Sequence, residues 1–368
     1  MREALPILQL AAPNSGFPVH IPRLVGDTPR SGPAGSQVGC ELIQGDNLDA
    51  LRCLVSERAG QVTLAYLDPP FFTGRAHHKV DRQRTSSGIE RSSQLAFDDR
   101  WESLSHYLLA LKLRLTLVHE LLSPTGSVVI HVDPKTSHYI KVMCDEIFGM
   151  DCFASEVIWR YRRWPSKTKN FQRVHDVMLR YVKSTEHAAR FNQLYEPLAP
   201  STQKTWGDRK QRAVVGADGR RVRSSSTQEL SHGVPLGDVW EIPIVAPVAR
   251  ERNGYPTQKP EALMKRWIEA CSDPDDLILD PYMGSGTTVK VALELGRRVI
   301  GIDAGEQAHS VTQARLDEQQ LPYHLRQVEI SEAARVASVK RSPGVKKSQH
   351  RSASSLSETA QPTHAAVG

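Results

Sequence analysis

Residues 277–303 read LILDPYMGSGTTVKVALELGRRVIGID. This stretch predicts an apolar strand that ends at Asp280, a glycine-rich turn, a helix that opens at Thr287 and a second strand that ends at Asp303. Strand, turn, helix and strand in this order are typical of a Rossmann-like unit, in which the acidic residue at the second strand end accepts hydrogen bonds from ribose hydroxyls. We therefore expect an α/β fold that binds an adenosine-type ligand.

The turn between the two strands carries Gly284 and Gly286. Its spacing does not match the GxGxxG pattern of dinucleotide sites, and the turn has no basic residue that could hold a pyrophosphate. These features favour a nucleoside without phosphates, such as S-adenosylmethionine, over a nicotinamide dinucleotide. A GxG turn alone is also typical of a plain strand-to-helix connection, so the flanking aspartates strengthen the prediction.

A second motif, LAYLDPPFF, covers residues 64–72. A buried strand delivers the carboxylate of Asp68 to the ligand-binding edge of the sheet, and Pro69 and Pro70 then remove two N–H donors. The site is consequently rich in hydrogen-bond acceptors, and Phe71 can stack on a flat ring. This favours an exocyclic amine as substrate, because such an amine donates two hydrogen bonds. The open alternative is a structural turn followed by core aromatics.

Strands and helices alternate on both sides of a basic middle segment. Helical spacing of apolar residues predicts one helix from Leu104 up to a Pro-Thr-Gly stop at 124–126 and another over about 261–270, and an apolar run predicts a strand over 127–133. Such alternation favours a parallel sheet with helices on both faces. We expect five segments: a disordered leader (1–38), a first α/β half (39–155), a basic insert (156–240), a second α/β half (241–330) and a disordered basic tail (331–368).

Positive charge is concentrated in the middle of the chain. The net charge of the whole chain is +6, whereas residues 155–228 contain 16 Lys and Arg against 6 Asp and Glu. Segregated cations favour a polyanion such as DNA, because they neutralise phosphates and release counterions. A solvated basic face is the alternative. The cations expected to contact DNA are Arg160, Arg162, Arg163, Lys167 and Lys169. The aromatic residues among them, which could stack on distorted bases, are Trp159, Tyr161, Trp164 and Phe171.

Three further expectations come from segments outside these motifs. The polar residues 74–100 predict a long loop that orders over DNA, in which His77 and His78 are exposed rather than metal ligands. No apolar run reaches membrane-spanning length, so we expect a cytoplasmic protein that binds no membrane. The five cysteines form no close pair, which argues against a disulfide framework or a zinc site.

Six ordered motifs resemble the β-type N6-adenine/N4-cytosine DNA methyltransferases. In that arrangement the catalytic tetrapeptide precedes the cofactor loop, and a target-recognition region lies between them. The matches cover nearly all of residues 40–310 and are more specific together than either motif alone. They are IQGDNLDAL (43–51), LDPPFF (67–72), LSPTGSVVIHVD (122–133), YPTQKPEALMKRWI (255–268), LDPYMGSGTT (279–288) and GRRVIGID (296–303).

The resemblance implies a Rossmann-like S-adenosylmethionine-dependent enzyme that methylates the N6 amine of an adenine flipped out of double-stranded DNA. It implies that the catalytic residues are Asp68, Pro69, Pro70 and Phe71. It implies that the cofactor is bound by Asp46, Thr257, Lys259, Asp280, Pro281, Tyr282, Gly284, Gly286, Thr287 and Asp303. Within this set, Thr257 and Lys259 are implied to meet the methionine carboxylate.

Three alternatives stay open. A cytosine-N4 methyltransferase shares all of these motifs, but Ser is commoner than Asp at position 68 in that group, so Asp68 favours adenine. The tetrapeptide ends in Phe rather than the commoner Tyr, which stacking tolerates but which removes a clue to the base. A non-catalytic DNA-binding relative is disfavoured by the two intact motifs, and a nicotinamide oxidoreductase by the DPPF and TQKP motifs. The sequence leaves open whether the protein forms a homodimer and whether a cognate restriction endonuclease accompanies it.

Overall fold

The computed structural model describes residues 22–30, 39–85, 88–167, 169–211, 214–222 and 226–329. The predicted tail over 331–368 and most of the predicted leader lie outside this part of the chain. In the described part, no helix is long and apolar enough to cross a membrane.

Eighteen strands are described. The first nine are β1 Arg23–Arg30, β2 Cys40–Gln44, β3 Val62–Leu67, β4 Ala76–Thr85, β5 Gly88–Asp98, β6 Leu122–Val132, β7 Phe153–Arg160, β8 His175–Val182 and β9 Tyr195–Glu196. The others are β10 Arg209–Gln211, β11 Val214–Val215, β12 Arg221–Val222, β13 Ser226–Leu230, β14 Val234–Pro235, β15 Val239–Glu241, β16 Leu277–Asp280, β17 Arg298–Asp303 and β18 Tyr323–Glu329.

Seven α-helices are described, and a 3-10 turn covers Met150–Cys152. The helices are α1 Asn47–Arg58, α2 Leu104–Leu121, α3 Ser137–Phe148, α4 Pro200–Trp206, α5 Glu261–Cys271, α6 Thr287–Glu294 and α7 Glu306–Glu318. The helix predicted from Leu104 up to the Pro-Thr-Gly stop and the helix predicted over about 261–270 are confirmed as α2 and α5.

Ten strands form one central sheet in the order β1-β18-β2-β17-β16-β3-β6-β8-β7-β15. The run from β18 to β6 is parallel throughout. Strand β8 is antiparallel to both β6 and β7, so β7 runs in the same direction as β3. The carboxyl ends of β3, β6, β7, β16 and β17 therefore meet at one edge, which we call the catalytic edge.

Helices cover both faces of this sheet, as the alternation of apolar segments predicts. All six residues of β3 are buried, which fits a strand packed on both faces. One apolar cluster joins the sheet to α1, α2 and α3, with Leu51 and Leu115 among its fully buried members. The other joins it to α5 and α6 through residues such as Leu263 and Val289. The predicted α/β class is confirmed.

The structure differs from the sequence prediction at three segments. Residues 23–30 of the expected leader form strand β1, which pairs antiparallel with β18. Residues 76–98 of the expected loop form the antiparallel hairpin β4–β5. Strands β7 and β8, inside the expected insert, belong to the central sheet, so only residues 183–238 lie between sheet strands as an insertion. The partner of β1 is distant in sequence, whereas β4 and β5 are neighbours that pair with each other. In all three segments strand pairing decides the structure, and local composition does not report it.

Candidate active site

A cavity of 370 Å³ opens at the catalytic edge, between the ends of β3, β16 and β17. It is lined by every predicted catalytic and cofactor residue except Gly286. Those lining residues are Asp46, Asp68, Pro69, Pro70, Phe71, Thr257, Lys259, Asp280, Pro281, Tyr282, Gly284, Thr287 and Asp303. The parallel strands therefore bring together two motifs that are more than 200 residues apart in the chain.

Asp68 follows β3 and contacts a residue of the predicted cofactor set. The ammonium group of Lys259 donates a hydrogen bond to Asp68 Oδ2. The same Lys259 nitrogen lies 5.1 Å from the centre of the Phe71 ring. The side chains of Lys259 and Asp68 are mostly buried, at 12% and 20% exposed, so water screens the ion pair between them only in part. The sequence did not predict this contact.

The chain that leaves the tetrapeptide is held by Asp99, a residue that sequence analysis missed. Its carboxylate accepts hydrogen bonds from Phe72 N at 3.0 Å and from Trp101 Nε1 at 3.1 Å. It also accepts from Thr73 N at 2.7 Å and from Thr73 Oγ1 at 2.6 Å. Phe72 has a φ of 57°, a conformation that a bulky side chain rarely adopts without support. Asp99 supplies that support.

A buried polar network lies behind Asp68. Tyr66 Oη is 2.7 Å from His131 Nδ1, and His131 Nε2 is 3.2 Å from Asp176 Oδ2. Tyr161 Oη donates to Asp176 Oδ1 at 2.9 Å. Burial alone would raise the pKa of Asp176, but the hydrogen bonds from His131 and Tyr161 and the nearby charge of Lys259 lower it below its usual value. His131 Nδ1 is 3.9 Å from Asp68 Oδ1, so this network borders the tetrapeptide.

The glycine-rich turn is anchored on Asp303. Gly284 N donates to one carboxylate oxygen of Asp303 at 3.0 Å, and Gly305 N donates to the other at 2.8 Å. Burial raises the pKa of Asp303, while these two backbone hydrogen bonds oppose the rise. Gly286 has a φ of 71°, and a Cβ there would lie 2.5 Å from Thr312 Oγ1. Only glycine fits this position, although Gly286 itself does not line the cavity.

Asp280 ends β16 deep in the site. It is 2% exposed, and burial raises its pKa to about 7. Hydrogen bonds from Thr288 and from the backbone N–H of Tyr282 oppose the rise, and the nearby charge of Asp68 adds to it. The carboxyl group therefore titrates near neutral pH.

Asp46 lies at the end of the cavity near α1. Its side chain caps this helix by accepting from Leu48 N at 2.8 Å, and it forms an ion pair with Arg114 at 3.2 Å. Asn47 donates to the carbonyl oxygen of Pro281 at 2.8 Å, which links the start of α1 to the glycine-rich turn. Arg114, on α2, was not predicted because nothing near it in sequence marks a site.

The TQKP segment is joined to the same turn. Asn253 Nδ2 donates to the carbonyl oxygen of Ser285 at 3.0 Å, and Thr287 Oγ1 donates to that of Lys259 at 3.2 Å. Thr257 has a φ of 60°, again an uncommon conformation for a β-branched residue. Through these contacts the segment that carries Lys259 is fixed relative to the cofactor loop.

The basic segment is divided between the core and the surface. Trp159 and Tyr161 are buried, at 3% and 6% exposed, so the expectation that they stack on DNA bases is wrong. Trp159 lies in β7 and Tyr161 directly follows it, and both belong to the apolar cluster on the α5 and α6 side of the sheet. The Trp159 indole donates to the carbonyl oxygen of Ile242 at 2.8 Å. Trp164 and Phe171 are exposed, so they remain the aromatic residues of this segment that could stack on bases.

The cations predicted to contact DNA lie at the surface beyond the end of β7. Arg160 forms an ion pair with Glu241. Arg162, Lys167 and Lys169 are exposed, and the guanidinium of Arg163, also exposed, lies 5.3 Å from the centre of the Tyr161 ring. These positions are compatible with a role in DNA binding.

His77 lies at the cavity wall rather than in an exposed loop. Its ring stacks on Phe97 at a centroid distance of 4.5 Å, and both residues line the cavity. Its Nε2 atom is 3.3 Å from Thr73 Oγ1. Strand pairing in the hairpin β4–β5 brings His77 opposite Phe97, and a prediction of a loop could not anticipate this.

Comparison with known proteins identifies the family. Residues 62–314 match the N6/N4 DNA methylase family. The chain belongs to that family. The DNA adenine methyltransferase YhdJ of Escherichia coli strain K12 is 28% identical over 278 residues, which cover 75% of this chain and 82% of YhdJ. The type II methyltransferase M.HpaI of Haemophilus parainfluenzae is 27% identical over 271 residues, which cover 73% and 72% of the two chains.

A solved structure of the cytosine-N4-specific PvuII DNA methyltransferase aligns with a TM-score of 0.49 at 15% identity, covering 78% of this chain and 93% of that one. As a member of the N6/N4 DNA methylase family, this chain is an S-adenosylmethionine-dependent DNA methyltransferase.

The cavity of this methyltransferase fits its methyl donor. Among the described residues that line it, six are aspartates and two are Lys or Arg. S-adenosylmethionine carries a positive sulfonium and a positive amine, which such an acidic wall favours, whereas a pyrophosphate would be repelled. Each carboxylate oxygen of Asp303 accepts one backbone hydrogen bond and keeps acceptor capacity for ribose hydroxyls.

We expect the exchange Asp99→Asn to lower the rate of methyl transfer by up to about 100-fold while cofactor affinity changes little. An amide cannot accept all four hydrogen bonds, so the turn after Phe71 shifts, and the free energy of unfolding falls by about 2 kcal/mol. Single-turnover kinetics, cofactor titration and thermal unfolding measure the three effects. Asp98→Asn is the matched control, because the neighbouring Asp98 is exposed and its carboxylate contacts Arg100. Equal effects of the two exchanges would contradict this role of Asp99.

We expect Asp280 to make the protein less stable as the pH rises from about 4 to about 7. Because its pKa in the folded state is raised to about 7, the folded protein binds more protons than the unfolded chain across this window. This contribution to stability is complete below the unfolded pKa, about 4, and is lost as the pH passes the folded value. Asp280→Asn should flatten the dependence of the melting temperature on pH, and Asp151→Asn, on the surface, should not. An unchanged dependence in Asp280→Asn would refute the raised pKa.

Proposed function

We propose that this protein is a site-specific methyltransferase that modifies the N6 amine of an adenine flipped out of double-stranded DNA. One observation carries the proposal: Asp68 and the glycine-rich turn held by Asp303 open into the same cavity. An amine bound at Asp68 would therefore lie beside a cofactor bound at the turn. The loss of base stacking costs a few kcal/mol, which stacking on Phe71 and burial in the cavity would offset.

In this proposal the tetrapeptide binds and orients the amine. The Asp68 carboxylate and the Pro69 carbonyl oxygen accept its two hydrogen bonds, which favours a nitrogen lone pair that is less delocalised into the ring. Phe71 holds the ring flat, and Asp99 keeps the following turn in place. Lys259 orients the Asp68 carboxylate, which acts as an acceptor, through a hydrogen bond from its ammonium group.

S-adenosylmethionine supplies an activated methyl group whose thioether leaves readily. The residues of the chain then align the nitrogen with that methyl group and exclude water, and alignment alone can supply several kcal/mol. The proton that the nitrogen loses on methylation would pass to the Asp68 carboxylate along the hydrogen bond between them. Asp303 would hold the ribose, and Thr257 with the remaining donors of Lys259 would hold the methionine carboxylate. Asp280, beside the turn, would face the positively charged end of the donor.

Methylation of cytosine at N4 is the second candidate. Both substrates present an exocyclic amine on a flat ring, and the family to which the chain belongs contains enzymes of both kinds. Asp at position 68 favours adenine by resemblance, and similarity to the adenine methyltransferase YhdJ agrees with this. Transfer of labelled methyl groups to DNA, followed by sequencing with modified-base detection, would identify the base and the recognition site together.

We further propose that residues 183–238 read the recognition sequence and that the cations after β7 hold the DNA backbone. The insertion contains the three small two-stranded sheets formed by β9 to β14, which is a separate surface beside the central sheet. Phosphate contacts by Arg162, Arg163, Lys167 and Lys169 would set the position of the duplex without reading bases.

We expect Asp68→Ala to lower methyl transfer by about 100-fold or more, because the main acceptor for the amine is lost. Cofactor binding, measured by equilibrium titration, should change little. The exchange leaves Lys259 without its carboxylate partner, so thermal unfolding should accompany the assay. Asp68→Asn, which keeps one acceptor oxygen, should retain more activity than Asp68→Ala. Turnover by Asp68→Ala at the wild-type rate would refute the assignment.

Reversal of charge at Arg162 and Arg163 should weaken DNA binding and flatten its salt dependence. Each lost phosphate contact reduces the slope of log K against log salt by about 0.9. Arg298→Glu is the control, because Arg298 is exposed and begins β17 at the opposite edge of the sheet. Fluorescence anisotropy at several salt concentrations measures the slope. A slope identical to that of the wild type would remove both arginines from the interface.

A further inference from the structure

The loop between β7 and β8, residues 161–174, leaves the sheet at the catalytic edge. Its sequence, YRRWPSKTKNFQRV, contains five Arg and Lys and no Asp or Glu. A surface of this kind favours a polyanion such as DNA. The loop is described except for residue 168.

The root of the loop is held by contacts on both sides. Tyr161 N donates to the carbonyl oxygen of Val174 at 2.9 Å, which closes the loop at its base. Tyr161 Oη donates to Asp176, whose other oxygen meets His131 beside the tetrapeptide. In the part of the loop that leads into β8, Arg173 forms an ion pair with Asp133, which directly follows β6. The root is thereby fixed relative to the cavity.

Two large aromatic side chains project from this fixed root. Trp164 is 92% exposed and Phe171 is fully exposed. The carbonyl oxygen of Trp164 accepts a hydrogen bond from Gln172 Nε2 at 2.8 Å, which joins the first half of the loop to the second half next to both aromatics. Pro165 follows Trp164 and restricts the backbone there. An exposed indole on a supported backbone, surrounded by cations, has apolar surface to bury once phosphates bind nearby.

We propose that Trp164 enters the base stack at the target position and occupies the space that the flipped base leaves. This inference rests on the proposed function, because it presupposes a base drawn into the cavity at Asp68. Aromatic side chains stack on bases of any sequence, so the insertion would act beside the recognition surface rather than replace it. The cations of the loop hold the duplex, and Trp164 stabilises the flipped state.

The test compares a paired target with one that is already unpaired. Once sequencing has identified the site, methyl transfer is measured on a duplex with the target paired and on one with an abasic site opposite the target. We expect Trp164→Ala to slow transfer on the paired duplex by about tenfold to hundredfold, the range that loss of one stacked base contact implies. On the unpaired duplex its rate should stay near that of the wild type. Trp164→Phe should rescue part of the loss.

Met150→Ala is the control, because Met150 is an apolar residue, 74% exposed, that precedes β7 at the edge of the sheet opposite the catalytic edge. It should leave both rates unchanged. A folding defect would lower the melting temperature and would slow methyl transfer equally on both duplexes. A loss of insertion would slow transfer on the paired duplex alone, so thermal unfolding and the two rates together separate the two causes.

Three results would overturn the inference. They are equal slowing of Trp164→Ala on both duplexes, no slowing on either, and an effect confined to Phe171→Ala. A wild-type enzyme that methylates cytosine would refute the proposed adenine specificity alone, because the comparison of paired with unpaired target applies to either base. A wild-type enzyme that transfers no methyl group to DNA would refute the proposed function itself.

Discussion

The site depends on the parallel arrangement of β3, β16 and β17. Because parallel strands end at one edge, the carboxylates that follow or end them gather there without any local sequence relation. Asp68, Asp280 and Asp303 reach the cavity in this way, and the helices on both faces keep the strands apart from water. The hydrophobic core thus holds three acidic groups close to one another.

Crowding of these carboxylates has electrostatic consequences. Burial raises the pKa values of Asp280 and Asp303, and the charge of Asp68 adds to the rise at Asp280. Hydrogen-bond donors compensate the carboxylates of this region in two ways: the ammonium group of Lys259 contacts Asp68, and backbone N–H groups contact Asp303. A cationic methyl donor would add further compensation. The acidic cavity therefore suits both the donor and an amine substrate.

Rigid contacts connect the cavity to the surface where DNA would bind. Asp99 joins the turn after the tetrapeptide to the base of the hairpin β4–β5, through hydrogen bonds with Thr73 and with Trp101. On the other side, the network through His131 and Asp176 joins the region of Asp68 to the root of the basic loop. Chemistry and DNA contact are thus supported by buried polar groups that have no sequence signature of their own.

The sequence by itself determined the α/β class, the family and thirteen of the residues that line the cavity, because glycine, proline and aspartate act there through local backbone geometry. Only the tertiary structure decided what those residues contact. Lys259 meets Asp68 across the cavity, and Asp99 reaches Phe72 and Thr73 from the far end of a hairpin. It also decided that Trp159 is core while Trp164 is surface, although only four residues lie between them. Burial and strand pairing depend on partners distant along the chain, and local spacing carries no record of them.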